Sequence, residues 1–140
     1  MEATMSFLLV VSTILVFTGC SDNPLQEDQK NRSIEVNEGQ QFKLTKGDSA
    51  HLVSENIDIL FIEVAKDGRC PTDVNCFWAG DAALALRIGE QVDTLHTTTV
   101  FGPDSLEVGA LWIKIVNLQP RLSSEQTIED VNYEAQLILQ

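Results

Sequence analysis

From Ser33 to the C-terminus, apolar residues recur at every second position and no stretch repeats them at helical spacing. A chain written this way folds into strands. Phe42 and Leu44 share one face of Gln40–Thr45, and Leu84, Leu86 and Ile88 share one face of Ala82–Ile88, with Arg87 opposite. Tyr133, Ala135, Leu137 and Leu139 align in the last segment. Two segments, Ile57–Val64 and Leu111–Leu118, are apolar on both faces, and the first reads as a central strand covered from both sides. Turn signals separate the runs at Asn37-Glu38-Gly39, Lys46-Gly47-Asp48, Gly89-Glu90 and Phe101-Gly102-Pro103-Asp104. Ser123–Val131 reads as a loop with one helical turn begun by Ser124. The expectation is an all-β domain over 33–140, a single immunoglobulin-like β-sandwich or small barrel of about seven strands.

A different pattern precedes it. Phe7–Cys20, FLLVVSTILVFTGC, is an apolar run too short to span a bilayer as a helix, ending in small residues and a cysteine. Phe17-Thr18-Gly19-Cys20 resembles the lipobox of bacterial lipoproteins, which implies a signal peptide over 1–19 and acylation (palmitate among the chains) of Cys20. Met1–Ser6 departs from a usual leader, since it holds Glu2 and no Lys or Arg. An uncleaved apolar anchor is the competing reading; a buried core segment fits poorly, because a polar tail follows. Residues 20–32 then form the lipidated cysteine and a flexible tether. Ser21 after the cysteine, where an Asp would favour inner-membrane retention, implies an outer-membrane destination, on the periplasmic or the surface face.

Charge narrows the partners. Removing Glu2 from the 21 acidic residues leaves 20 against 9 basic ones, a mature net charge of −11. Such a surface repels phosphate backbones, so nucleic acid is a poor partner.

With Cys20 assigned to lipid, Cys70 and Cys76 remain, and in an exported chain they pair as a disulfide around Pro71–Asn75. Five intervening residues do not suit thioredoxin-like chemistry, and neither His51 nor His96 is near enough in sequence to complete a short-spaced zinc site. Trp78, two residues on, is placed to cover the bridge, and Gly80 to turn the chain into the next strand. Arg69 has loop carbonyls, Asp67, Asp73 and Asp81 as possible partners. The same segment read functionally is a recognition loop with Arg69, Asp73 and Trp78 as its contacts.

The segment Arg69-Cys70-Pro71, Cys76 and Trp78-Ala79-Gly80, followed by the apolar strand from Asp81, resembles a motif in a group of small bacterial lipoproteins of no assigned activity. Leu118-Gln119-Pro120 and Tyr133-Glu134-Ala135 are similar as well. The resemblance implies an exported, lipid-anchored, all-β protein and transfers no catalytic residue.

Other chemistry is sparse. A hydrolase needs a base beside a nucleophile, and the only histidines are His51 and His96, with no Gly-x-Ser-x-Gly elbow. No acidic pair stands apart as a glycosidase would require. Asp67, Asp73 and Asp81 around the cysteine loop are calcium candidates, though their spacing matches no EF-hand. The expectation is a non-catalytic envelope protein without a cofactor or resident metal. It acts as a binding or structural module toward an envelope protein or glycan; the alternatives are an inhibitor of an extracytoplasmic hydrolase or a calcium-binding module.

Overall fold

The computed structural model describes residues 31–140. The leader, Cys20 and most of the tether lie outside the described residues. Among the described residues, nine strands form two sheets packed face to face, a β-sandwich and not a closed barrel. The strands are β1 (Ser33–Val36), β2 (Gln41–Thr45), β3 (Ser49–Leu52), β4 (Ile57–Asp67), β5 (Ala82–Ile88), β6 (Gln91–His96), β7 (Ser105–Val108), β8 (Leu111–Gln119) and β9 (Glu134–Leu139). One sheet has the order β1-β3-β4-β5-β6 and the other β2-β9-β8-β7. All neighbours are antiparallel except β1 and β3.

The core lies between the sheets. Ile59, Phe61, Leu84, Leu86 and Leu95 face it from one side, and Leu44, Ile113, Leu118, Leu137 and Leu139 from the other, all essentially without solvent contact. Alternation selects these residues, because each sheet has one dry face.

The two doubly apolar segments depart from the sequence reading. β4 is not covered from both sides: Ile59, Phe61 and Val64 are buried while Leu60 and Ile62 are only half-buried. β-Bulges between Phe61 and Glu63 and between Val64 and Lys66 advance the register, so Val64 rejoins the inner face beside Phe61. A bulge between Ile115 and Asn117 does the same in β8. It turns Leu118 inward with Ile113 and Ile115, and leaves Trp112 and Val116 facing solvent. A strand at Ser105–Val108, absent from the sequence reading, forms the edge beside β8. The helical turn falls at Ile128–Asp130 rather than at Ser124, with Thr127 as its capping residue.

Strand directions divide the molecule into two ends. β4, β6 and β8 finish at one end and β5 and β9 start there, so residues 68–81, 97–104 and 120–133 form its loops. The opposite end carries the short turns at 37–40, 53–56, 89–90 and 109–110.

Candidate functional site

The loop between β4 and β5 is fixed from inside and from its flank. Its stem continues the hairpin, with Gly68 N–H donating to Asp81 O at 2.7 Å and Cys70 N–H to Ala79 O at 3.1 Å. Gly80 has φ +72°, and a Cβ there would run into the Gly68–Arg69 backbone, so glycine is required at that close approach. Cys70 and Cys76 are bridged, with Cα atoms 5.8 Å apart. Chain-entropy arithmetic for so short a loop gives about 2 kcal/mol. Cys76→Ser is therefore expected to lower unfolding free energy by about that amount while far-ultraviolet dichroism stays unchanged. Loss of the sheet signal in this variant would contradict a merely local staple.

Beneath the loop, Asp67 and Arg69 form a forked ion pair. Arg69 Nε donates to Asp67 Oδ1 at 2.9 Å and Nη2 to Oδ2 at 2.7 Å. The side chains are 1% and 11% exposed. Arg69 also donates to the carbonyls of Leu118 and Pro120, the latter following a cis Gln119–Pro120 bond, and Tyr133 Oη donates to Asp67 Oδ2 at 2.9 Å. Burial pushes the Asp67 carboxyl upward, but the bonds from Arg69 and Tyr133 outweigh it and hold it below the usual carboxylate range. Burial, and then the neighbouring carboxylate, push the Tyr133 phenol up. Arg69 is thus spent inside the protein, tying the root of the 68–81 loop to the end of β8. It is not an exposed recognition contact, which corrects the sequence expectation.

A second loop clamps the flank. Asp73 accepts from Ser124 N–H at 2.8 Å and from Ser124 Oγ at 2.6 Å, Thr72 N–H donates to Leu122 O at 2.9 Å, and Arg121 donates to Cys70 O. Asp73, another expected recognition contact, therefore braces the loop from outside.

Asp81 lies at the opposite root. Its Oδ2 faces His96 Nδ1 at 2.6 Å, and its Oδ1 accepts from Thr98 N–H at 3.0 Å and from the hydroxyls of Thr97 and Thr98. Burial raises this carboxyl, yet those bonds prevail and lower it. The pair has the form of a base and its orienting acid, but the Cδ2–Nε2 edge of the His96 ring packs on Gly102. His51 Nδ1 meets Asp58 Oδ1 at 2.7 Å on the outer sheet face. Among the described residues, neither ring bonds a hydroxyl or a thiol.

The calcium candidates are not brought together. Asp67, Asp73 and Asp81 bond Arg69 and Tyr133, Ser124, and His96 with two threonines respectively, and among the described residues no three acidic, histidine or cysteine side chains converge on one point. An open groove of about 480 Å³ lies beneath the Ile128–Asp130 turn. It is lined by Lys46, Glu63 and Tyr133 among others and is largely polar.

The lowered carboxyls set a pH dependence. Asp48, buried at the β2–β3 turn, is also lowered: burial opposes, while Thr45 and Arg32 prevail. A folded value below the unfolded one contributes stability above the unfolded pKa, near 3.9, and loses it as pH falls through the folded value. Urea midpoints are therefore expected to be level from neutral pH down to about 5 and to fall steeply below about 4. A midpoint that holds or rises on acidification would contradict these pairings.

What all this bracing presents is apolar. Phe77 is 103% and Trp78 70% exposed. Trp78 does not cover the disulfide as its spacing predicts: it is largely exposed, while the adjacent Ala79 is held to Cys70. The neighbouring loop adds Val100 and Phe101, 80% and 65% exposed. The two loops share a root, with Thr97 N–H donating to Ala82 O at 3.0 Å and Ala82 N–H donating to Thr97 Oγ1 at 2.8 Å. The candidate site is this end of the sandwich: a braced stem with exposed apolar side chains. Sequence reasoning found Trp78 and missed Phe77, Val100 and Phe101, although each sits next to a turn residue or cysteine with no strand to join. No family model matches the chain, and no curated protein or solved structure does either.

Proposed function

We propose that the protein is a lipid-anchored, non-catalytic binding module of the bacterial cell envelope, held at the outer membrane through Cys20 and binding through the 68–81 and 97–104 loops. The observation that carries this reading is the outward display of Phe77 and Trp78 on a loop braced by a disulfide, a buried ion pair and a second loop. Large apolar side chains held rigidly in water are unfavourable alone and favourable in an interface, where ordering them beforehand reduces the cost of binding. A non-catalytic reading draws on the two histidines: each is engaged with a carboxylate, and among the described residues neither bonds a hydroxyl or thiol. An envelope protein or a glycan, stacked on the aromatic rings, suits such a surface.

Inhibition of an extracytoplasmic protease or lysozyme is the second reading, favoured by the exposed, disulfide-closed tip. Assays against a panel of such enzymes decide it; uniformly unchanged rates remove it. Mass spectrometry of the N-terminus isolated from cells tests the anchor. The expected species begins at an acylated Cys20, and an unmodified chain beginning at Met1 or Met5 would refute it.

A further inference from the structure

The chemistry of the two projecting loops and the direction of the chain identify what this end meets. Residues 74–80 and 97–103 contain no charged side chain, in a protein whose charged residues make up 21% of the sequence. The carboxylates flanking them are all engaged: Asp73 with Ser124, Asp81 with His96, and Asp104 with Lys114 at 3.2 Å. The turns of the opposite end carry Glu38, Glu55 and Glu90. Both ends thus carry carboxylates, but at the loop end Glu125, Glu129 and Asp130 belong to the 120–133 loop, and the 74–80 and 97–103 tips themselves are uncharged and apolar. Such tips can enter a headgroup layer without burying a charge.

The entry of the chain points the same way. Arg32 is fixed at the β2–β3 turn, its N–H donating to Asp48 Oδ1 at 3.0 Å and its guanidinium to Oδ2 at 3.1 Å. β1 runs parallel to β3 and so away from the loop end. Arg32 therefore lies on the loop-end side of Ser33. Ser33 is level with Ser49 and, through it, with Leu60; Asp67 lies seven residues further along β4, about 23 Å at strand rise. The stretch from Ser21 to Arg32 reaches up to about 40 Å when extended, enough to bring residue 20 level with the tips.

We infer that Phe77, Trp78, Val100 and Phe101 seat in the interfacial layer of the bilayer that holds Cys20, so that the domain stands on its anchoring membrane loop end down. This rests on the reading of the loop end as the binding surface and names its partner as a lipid interface. Indole and phenyl rings favour that layer, where an apolar body meets headgroups and water, and an acyl chain at residue 20 supplies the second attachment. The third loop at this end, with Glu125, Glu129 and Asp130, takes no part.

The two tryptophans allow a direct test, since Trp112, the second residue of β8, lies at the other end. The full acylated protein is reconstituted in phosphatidylethanolamine–phosphatidylglycerol vesicles carrying nitroxide at the headgroup boundary. In the Trp112→Phe protein, Trp78 emission is expected to be quenched several-fold and shielded from aqueous iodide. In the Trp78→Phe protein, Trp112 is expected to be untouched by lipid nitroxide. Trp78 unquenched and open to iodide overturns the inference. So does shielding that appears only as protein density on the vesicle rises, which would mark a contact between copies. Absent quenching together with crosslinks from position 78 to a protein in cells removes the lipid partner and leaves the binding end standing.

Discussion

Replacing Arg69 with methionine is expected to lower the unfolding free energy by about 3–5 kcal/mol, the usual consequence of stranding one member of a buried ion pair. Asp67 would keep only Tyr133 as a side-chain partner, and the carbonyls of Leu118 and Pro120 would lose their donor. For a domain of this size the melting temperature should fall by more than about 10 °C. Removing both charges in Asp67→Leu/Arg69→Met should recover much of the loss, because the desolvation cost of the pair disappears along with its attraction. A single-variant loss below about 1 kcal/mol, the value of an exposed pair, would show that this network does not hold the loop.

The reverse result is expected at the tip. Phe77→Ser/Trp78→Ser should leave stability within about 0.5 kcal/mol of the parent, since both side chains already face water. Binding should suffer instead. With the mature chain made as Cys20→Ser to remove the acyl anchor, affinity for isolated envelope membranes should fall on the order of 100-fold, as expected when two aromatic contacts at the centre of an interface are lost. Undiminished binding by the double variant would place the binding surface elsewhere, and a lower melting temperature would mean that the rings pack on the protein.

The fold was largely legible because period-two alternation reports directly on which side of a strand is dry. Phe42, Leu44, Leu84, Leu86, Tyr133 and Leu137 are all buried as their spacing requires. Where alternation misled, a bulge was responsible. Each inserts one residue, and nothing in Ile62-Glu63 or Val116-Asn117 announces it. The disulfide was legible from cysteine count and setting. The bracing was not, because Arg69 reaches Leu118 and Pro120, and Asp73 reaches Ser124, across roughly fifty residues of sequence. The outward turn of Trp78 was hidden for a related reason. Local spacing gives the direction of a side chain, but whether another layer waits there is decided by the packing of distant strands.

Site-specific photo-crosslinking in intact cells tests the loop end most directly, with a photoreactive phenylalanine analogue placed at position 78 in one strain and at position 112 in another. Both positions are exposed in the isolated domain, at 70% and 47%, so both can react. The structure predicts adducts, to lipid or to a partner, from position 78 and none above background from position 112. Equal labelling from the two positions, or none from 78, would contradict the assignment of this end as the surface through which the protein works.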